Sequence, residues 1–438
     1  MERRTFLKIL SSAGIVSLVS PTFAMEVCKN KVSKSSSALL ESAFRNPPFS
    51  SGVYTWWHWM NGNITKDGIT RDLEAMKANG IAGYQLFEAG SGIPIGPVES
   101  LSDEWVDLIL HTLKESERLG LEFAMHNCPG WSSSGGPWIT PDKAMQIITW
   151  SETKITGGKQ VRIQLPTPKH MFDYYIDTYC LAIPANMKVI PRLSILELSN
   201  RLDKDGVLTW DVPTGEWLIM RFGQTAKDQK NKSAPSKSTG LDCDKFSTEA
   251  LDYHLNCMFK RLMPTMEKIA KHSKIGLLID SYETGDQDWT SDMPAYFEQS
   301  HGYELYPFLP VLANKIVESE ESTKRFLFDF RRVRADMFAE RYYGHFQKRC
   351  KEKGIITYTE PYGGNMMEEL QVAQQLDINM GEFWCGQTVL WANYKYKRTV
   401  KQVASIAHTL GGKVVGAEAF TSEPDADKWL QYPYALKS

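Results

Sequence analysis

The sequence predicts an α/β fold, a (β/α)8 TIM-type barrel that is incomplete at its C-terminus and interrupted by an inserted antiparallel β domain. Three observations predict it. From Val53 onward, short apolar runs alternate with amphipathic stretches of helical period, the rhythm of strand–helix units in a parallel sheet. Seven such runs end in polar residues, five of them in or just before a glutamate, and strand ends are where barrels and doubly wound sheets keep their chemistry. Between about 146 and 238 the rhythm changes to short alternating runs split by Pro, Gly and Lys/Asp clusters, which reads as antiparallel. A doubly wound open sheet is the rival architecture, but the sequence has no glycine-rich dinucleotide or phosphate loop.

The elements follow in order. The first strand is Val53–Met60, ending at Asn61, Gly62 and Asn63, and residues 69–80 then place Ile69, Leu73 and Met76 on one helical face before a Gly80 stop. Strand two, residues 81–87, delivers Glu88. Helix Asp103–Leu119 groups Trp105, Leu108, Ile109 and Leu113, and strand three, residues 121–125, hands over to His126, Asn127 and Trp131. After the insert, a helix over 247–263 precedes strand four, Ile275–Ile279, whose four-residue apolar core suits a strand covered on both faces. Asp280 and Glu283 lie where it leaves the sheet. A long helix over 323–353 leads to strand five, 355–359, ending at Glu360. Strand six, 377–381, ends at Glu382, and a helix over 400–410 leads to strand seven, 413–417, ending at Glu418. No eighth strand is read before Ser438, so two sheet edges are expected to be exposed.

Residues 1–24 read as an address. Arg3-Arg4-Thr5-Phe6-Leu7-Lys8, an apolar run and Thr22-Phe23-Ala24 resemble a cleavable twin-arginine export signal, so a periplasmic or secreted bacterial protein is expected, with no stable membrane insertion after cleavage. Residues 25–45 read as a linker, 46–145 as the first part of the barrel, 146–238 as the insert and 239–438 as the second part. A formal net charge of −2 provides no basic footprint, which argues against nucleic acid as a partner. Seven cysteines without CxxC spacing specify neither a zinc site nor a disulfide framework, although export would permit a bridge such as Cys243–Cys257.

The strand ends collect His58, Asn61, Glu88, His126, Asn127, Glu283, Glu360, Glu382 and Glu418, near Trp56, Trp57, Trp59, Trp131 and Trp384. Acids beside flat aromatic faces, with no GxSxG turn around Ser132 and no cofactor loop, are what glycosidic bond hydrolysis needs. One carboxylic acid protonates the leaving oxygen and one carboxylate serves water or the anomeric carbon. The plainer alternative is that several of these acids cap helices or pair with Lys and Arg. Acids beyond the catalytic pair suit a hard oxygen-seeking ion such as Ca2+, whereas His58 and His126 are too few and too scattered for zinc.

Tyr54 to Gly62, His126 to Ser132, Asp280 to Gly285, Gly381 to Trp384 and Ala417 to Ser422 together closely resemble the α-L-rhamnosidases of glycoside hydrolase family 106. The resemblance implies a barrel with an inserted β domain, release of α-linked L-rhamnose from plant polysaccharides or glycosides with inversion, and calcium in the site. Carried onto this sequence, it implies Glu283 as general acid and Glu418 as base. Asn127 and Glu382 become the metal ligands. Independently of the resemblance, the strand ends and the stretch around Glu283 provide Trp57, His58, His126, Trp131, Tyr282, Glu360 and Trp384 as candidate substrate contacts, with Trp289 a further candidate for the cleft wall. The family's chains continue beyond the length seen here, so a non-catalytic carbohydrate-binding remnant is the alternative expectation.

Overall fold

The computed structural model describes residues 34–47, 49–131, 134–364, 366–384, 390–412 and 414–421. The stretch expected to be an export signal, residues 1–24, lies outside them. The described residues fall into two units that divide after Val53. Within the first, Lys34–Arg45 forms a helix carrying an Arg45–Glu41 ion pair one turn apart, so regular structure occupies part of the stretch expected to be a linker.

The second unit is built on seven strands in sequential order: β1 (Val53–Met60), β2 (Ile81–Ala89), β3 (Glu122–His126), β4 (Ile275–Ile279), β5 (Ile356–Thr359), β6 (Ile378–Trp384) and β7 (Gly416–Thr421). Every register between β2 and β7 is parallel. Sequential parallel strands require each connection to cross back along the sheet, and the intervening helices do this. Helix α1 (Lys66–Ala78) starts at Thr65, whose side chain accepts from the Gly68 N–H; α2 (Asp103–Leu119) starts at Ser102 and stops at left-handed Gly120.

The sheet is curled. Gln85 on β2 donates from Nε2 to Met380 Sδ on β6 at 3.2 Å, although four strand spacings separate them, roughly 19 Å in a flat sheet. Strand alternation therefore sorts side chains into an inside and an outside. Inside, Ala124, Leu278, Tyr358 and Met380 form a small apolar cluster with Trp56, Ile356 and Ile378. Outside, Trp57, Trp59, Tyr84, Leu86, Phe123 and Leu277 join the large core, as do Ile69 and Leu73 of α1 and Trp105, Ile109 and Leu113 of α2. Among the described residues no further strand pairs with β1 or β7, so the architecture is a half-barrel of seven strands.

Residues 146–226 form antiparallel sheets. Gln146–Thr156, Glu216–Ala226, Ile176–Pro184 and Leu196–Glu197 pair in that order, and Val207–Val212 pairs with Lys159–Gln164. Cys180, Ala182 and Ile219 face a local core with Leu208 and Trp210, while Leu181, Ile183, Leu218 and Met220 on the opposite face enter the main core. This region also grips the segment after β4. The Ile148 N–H donates to Asp288 Oδ1 at 2.9 Å, Trp289 N–H to Gln146 O at 3.3 Å, and Lys227 Nζ to Asp286 O at 2.5 Å.

The helix expected over 323–353 contains an irregularity. Glu320–Met337 passes through a π-helical turn, Phe338–Gly344, before His345–Lys351. The turn buries Phe338, Tyr342 and Tyr343 together. It sets the Tyr342 hydroxyl 2.7 Å from Ser134 Oγ and the Phe338 ring edge-on to Tyr282 at 5.0 Å. Cys243 and Cys257 are free thiols.

Candidate active site

The inside of the half-barrel changes from apolar to acidic at its C-terminal rim. Asp280 continues the inward face of β4 after Leu278, and Glu360 does the same for β5 after Tyr358, with the Glu360 N–H donating to Ile279 O at 3.3 Å. Glu382 and Glu418 stand opposite each other in the β6–β7 register. Because the sheet curls, Asp280, Glu360 and Glu418 each bring a carboxylate oxygen within 4.8 Å of the others. The side chains of Asp280 and Glu360 are buried, and Glu418 is half-buried.

Such crowding has an electrostatic cost. Burial, then the Glu418 charge, pushes the Asp280 carboxyl well above the usual aspartate range; burial, then Asp280 and Glu418, does the same to Glu360. Tyr362 donates its hydroxyl to Glu360 Oε2, and the buried Asp280 and Glu360 carboxyls share a hydrogen bond with each other. His126 Nε2 comes within 4.0 Å of Asp280 Oδ2, but burial, with His58 nearby, pushes this imidazole down to about 3. The ring is therefore neutral at ordinary pH, and the approach is not an ion pair.

One wall of the mouth is aromatic. Phe87 stacks on His126 at 4.8 Å and meets His58 at 3.9 Å, Trp56 at 4.8 Å and Trp131 at 6.0 Å. Opposite Trp131, the exposed Glu283 accepts a 2.8 Å hydrogen bond at Oε2 from the indole Nε1. Glu283 sits between two buried anchors, Tyr282 and Thr284. The site thus combines an exposed carboxyl on a braced loop, a cluster of three acids behind it and a ring-lined wall.

Comparison with known proteins places the chain in a family. The sequence profile of the family-106 glycoside hydrolases, described as alpha-L-rhamnosidase, matches residues 45–177 and 169–438. The chain belongs to that family. A curated protein of Formosa agariphila named "Putative beta-glucuronidase" is 41% identical over 430 residues, covering 91% of this chain and 36% of its own length. The solved rhamnosidase of Novosphingobium sp. PP1Y superposes with a TM-score of 0.79 at 24% identity, over 87% of this chain and 53% of that one. The family-106 chain therefore spans about a third of the first relative and about half of the second.

Several residues expected from the sequence meet at the mouth of this family-106 chain: Glu283, Glu360, Glu382, Glu418, His58, His126 and Trp131. Three are placed elsewhere. Trp57 points outward, its indole donating to Asp72 of α1 at 3.1 Å, because alternation along β1 puts Trp56 and His58 inside. Tyr282 is 1% exposed, in the core, and its hydroxyl donates to Gly285 O. The Asn127 side chain is built into the strand ends, Nδ2 donating to Leu278 O at 2.9 Å and Oδ1 accepting from Ser134. Trp289, also considered for the wall, is fully buried. The side chain of Trp384 lies outside the described residues.

Sequence reasoning missed Asp280 as a cluster member, although it is the first polar residue after Ile275–Ile279. Tyr362 was missed too, and only its spacing of two from Glu360 hinted at it.

Proposed function

We propose that this chain carries the catalytic half-barrel of an exported α-L-rhamnosidase that works with inversion. The observation that carries the reading is the convergence of Asp280, Glu360 and Glu418 at one mouth, beside Glu283 on a loop of its own. Glu283 acts as general acid and gives its proton to the glycosidic oxygen as the bond to the anomeric carbon breaks, the electron pair staying on that oxygen. Glu418 takes a proton from the water that adds to the opposite face of the carbon. Inversion requires the two carboxyls to stand about 6.5–9.5 Å apart. The His58 and Trp131 rings, backed by the buried Phe87, offer C–H-compatible faces to the sugar.

A calcium ion fits the site on the chemistry of its donors. Three carboxyl groups converge within 4.8 Å, two of them buried, which is a hard-cation donor set of oxygens. Asp280, Glu360 and one oxygen of Glu418 would hold it, leaving the other Glu418 oxygen to act as base, and it would supply an oxygen-seeking charge that orients sugar hydroxyls. Asn127, with both ends of its amide engaged, is the weaker candidate. Glu382, opposite Glu418 in the register, is the further candidate.

The name carried by the Formosa agariphila relative favours a second reading, a glycosidase for uronic acid sugars. A uronate would bring another carboxylate to a mouth already crowded with acids and containing a neutral His126. An uncharged deoxy sugar suits that field better. The test is release of the aryl group from an aryl α-L-rhamnoside, with the matching aryl β-glucuronide in parallel. Rhamnoside turnover that falls about 100- to 10,000-fold in Glu283→Gln and Glu418→Gln supports the reading. Turnover of the glucuronide alone would replace it, and rhamnoside binding without turnover would leave a carbohydrate-binding remnant.

A further inference from the structure

The sequence suggests Trp131 as a substrate contact, yet its indole N–H is spent on Glu283 Oε2 at 2.8 Å. The loops that carry the two residues are anchored independently of each other. On the Trp131 side, the Gly130 N–H donates to Glu88 O at 3.0 Å and the Trp131 N–H to Lys232 O at 3.4 Å. Gly130 has φ +77°, and a Cβ there would stand 2.0 Å from Lys232 O, so only glycine lets the loop lie this close. The Trp131 ring leans edge-on to Phe87. On the Glu283 side, the Tyr282 N–H donates to Tyr362 O at 2.9 Å, and Lys227 Nζ holds Asp286 O. The hydrogen bond thus joins two braced segments and is not a chance contact between mobile side chains.

An indole nitrogen can donate but never accept. The carboxyl oxygen that faces it is therefore the acceptor, and because a carbonyl oxygen accepts better than a hydroxyl oxygen, the hydrogen bond favours the acid form whose hydrogen sits on the other oxygen. We propose that Trp131 is a positioning residue that fixes the transferable proton of Glu283 on Oε1 and turns that oxygen towards the leaving group. The inference rests on the assignment of Glu283 as general acid. A carboxyl free to rotate would present the proton on either oxygen and in several directions, and a poorly placed catalytic group can cost about 100-fold in rate.

Two measurements test it. Trp131→Phe keeps a ring against Phe87 and removes the donor. Its kcat should fall about 10- to 100-fold on an alkyl α-L-rhamnoside, whose leaving group needs the proton, and change less than about threefold on a dinitrophenyl α-L-rhamnoside, which does not. Equal losses on both substrates would mean that the ring only packs or binds, and would overturn the proposal. Independently of turnover, the indole N–H resonance that disappears in Trp131→Phe should move in Glu283→Gln, because an amide replaces the carboxyl that accepts from it. A resonance that ignores Glu283→Gln overturns the pairing itself. Should the unaltered chain cleave neither rhamnoside, the rhamnosidase reading fails and the resonance alone decides whether Trp131 and Glu283 are partners.

Discussion

Glu88 shows how far a single side chain departs from its usual chemistry once buried. It is 3% exposed, accepts from Ser100 Oγ at 2.6 Å through Oε2, and keeps Oε1 without a partner. Burial pushes its carboxyl from 4.5 up to about 7, with the Ser100 hydrogen bond opposing. Between those values the folded chain holds a proton that the unfolded chain has lost, so stability is fully present below the unfolded value and is lost as pH rises through the folded one. The shift corresponds to about 3 kcal/mol. Glu88→Gln keeps the acceptor for Ser100 and removes the titration. Urea unfolding at pH 5 and pH 8 should show wild type losing stability relative to the variant across that interval, and a constant difference would disprove the account. Glu88 was visible in the sequence as a strand-end acid; that its carboxyl would be closed off from water was not, because the residues covering it come from other parts of the chain.

At the scale of elements, the loops after β4 and β5 support each other. Gly363 has φ +116°, and a Cβ there would lie 2.3 Å from Tyr282 O, so the chain beyond Glu360 can lie against Tyr282 only because the residue is glycine. Gly363→Ala is expected to destabilise the fold by about 1–3 kcal/mol. Its effect should also reach the cluster, since the Tyr362 hydroxyl, one residue away, caps Glu360. Denaturation midpoints unchanged from wild type would contradict this. The strands at the open end carry a related lesson. Residues 377–381 and 413–417 read as strands that stop before their glutamates, whereas β6 and β7 run on to Trp384 and Thr421. Glutamate is a poor strand former when judged alone, but the paired ladder that sets Glu382 beside Glu418 overrides local preference.

Across the whole molecule, the curl of the sheet links stability to the site. Met380 fills the interior with Ala124, Leu278 and Tyr358 and accepts from Gln85 on the far side. Met380→Ala should cost about 2–5 kcal/mol by opening a cavity there. Thermal unfolding would measure it, and a cost near zero would mean that the two sides do not rest on each other. The calcium proposed for the acid cluster would depend on the same curl. With the ion at about 100 times its Kd, binding to the folded state alone adds about 2.7 kcal/mol. Calcium should therefore raise the melting temperature of the wild type, chelator should reverse the rise, and Glu360→Gln should blunt it. A wild-type melting temperature indifferent to both calcium and chelator would remove the ion from the proposal.

The sequence by itself determined the strand–helix order, the antiparallel interruption and the acids at the strand ends, because apolar period, glycine stops and the switch from apolar to polar are written in neighbouring residues. Only the tertiary structure decided which face of each strand turned inward. That sent Trp57 to the helices and Trp56 to the interior, and it drew Tyr282 and Asn127 into structural contacts. It also decided that Asp280, Glu360 and Glu418, on strands up to three places apart, would meet within 4.8 Å. Distances between strand ends depend on how tightly the sheet curls, and curl is a property of the packed whole that no local stretch of residues contains.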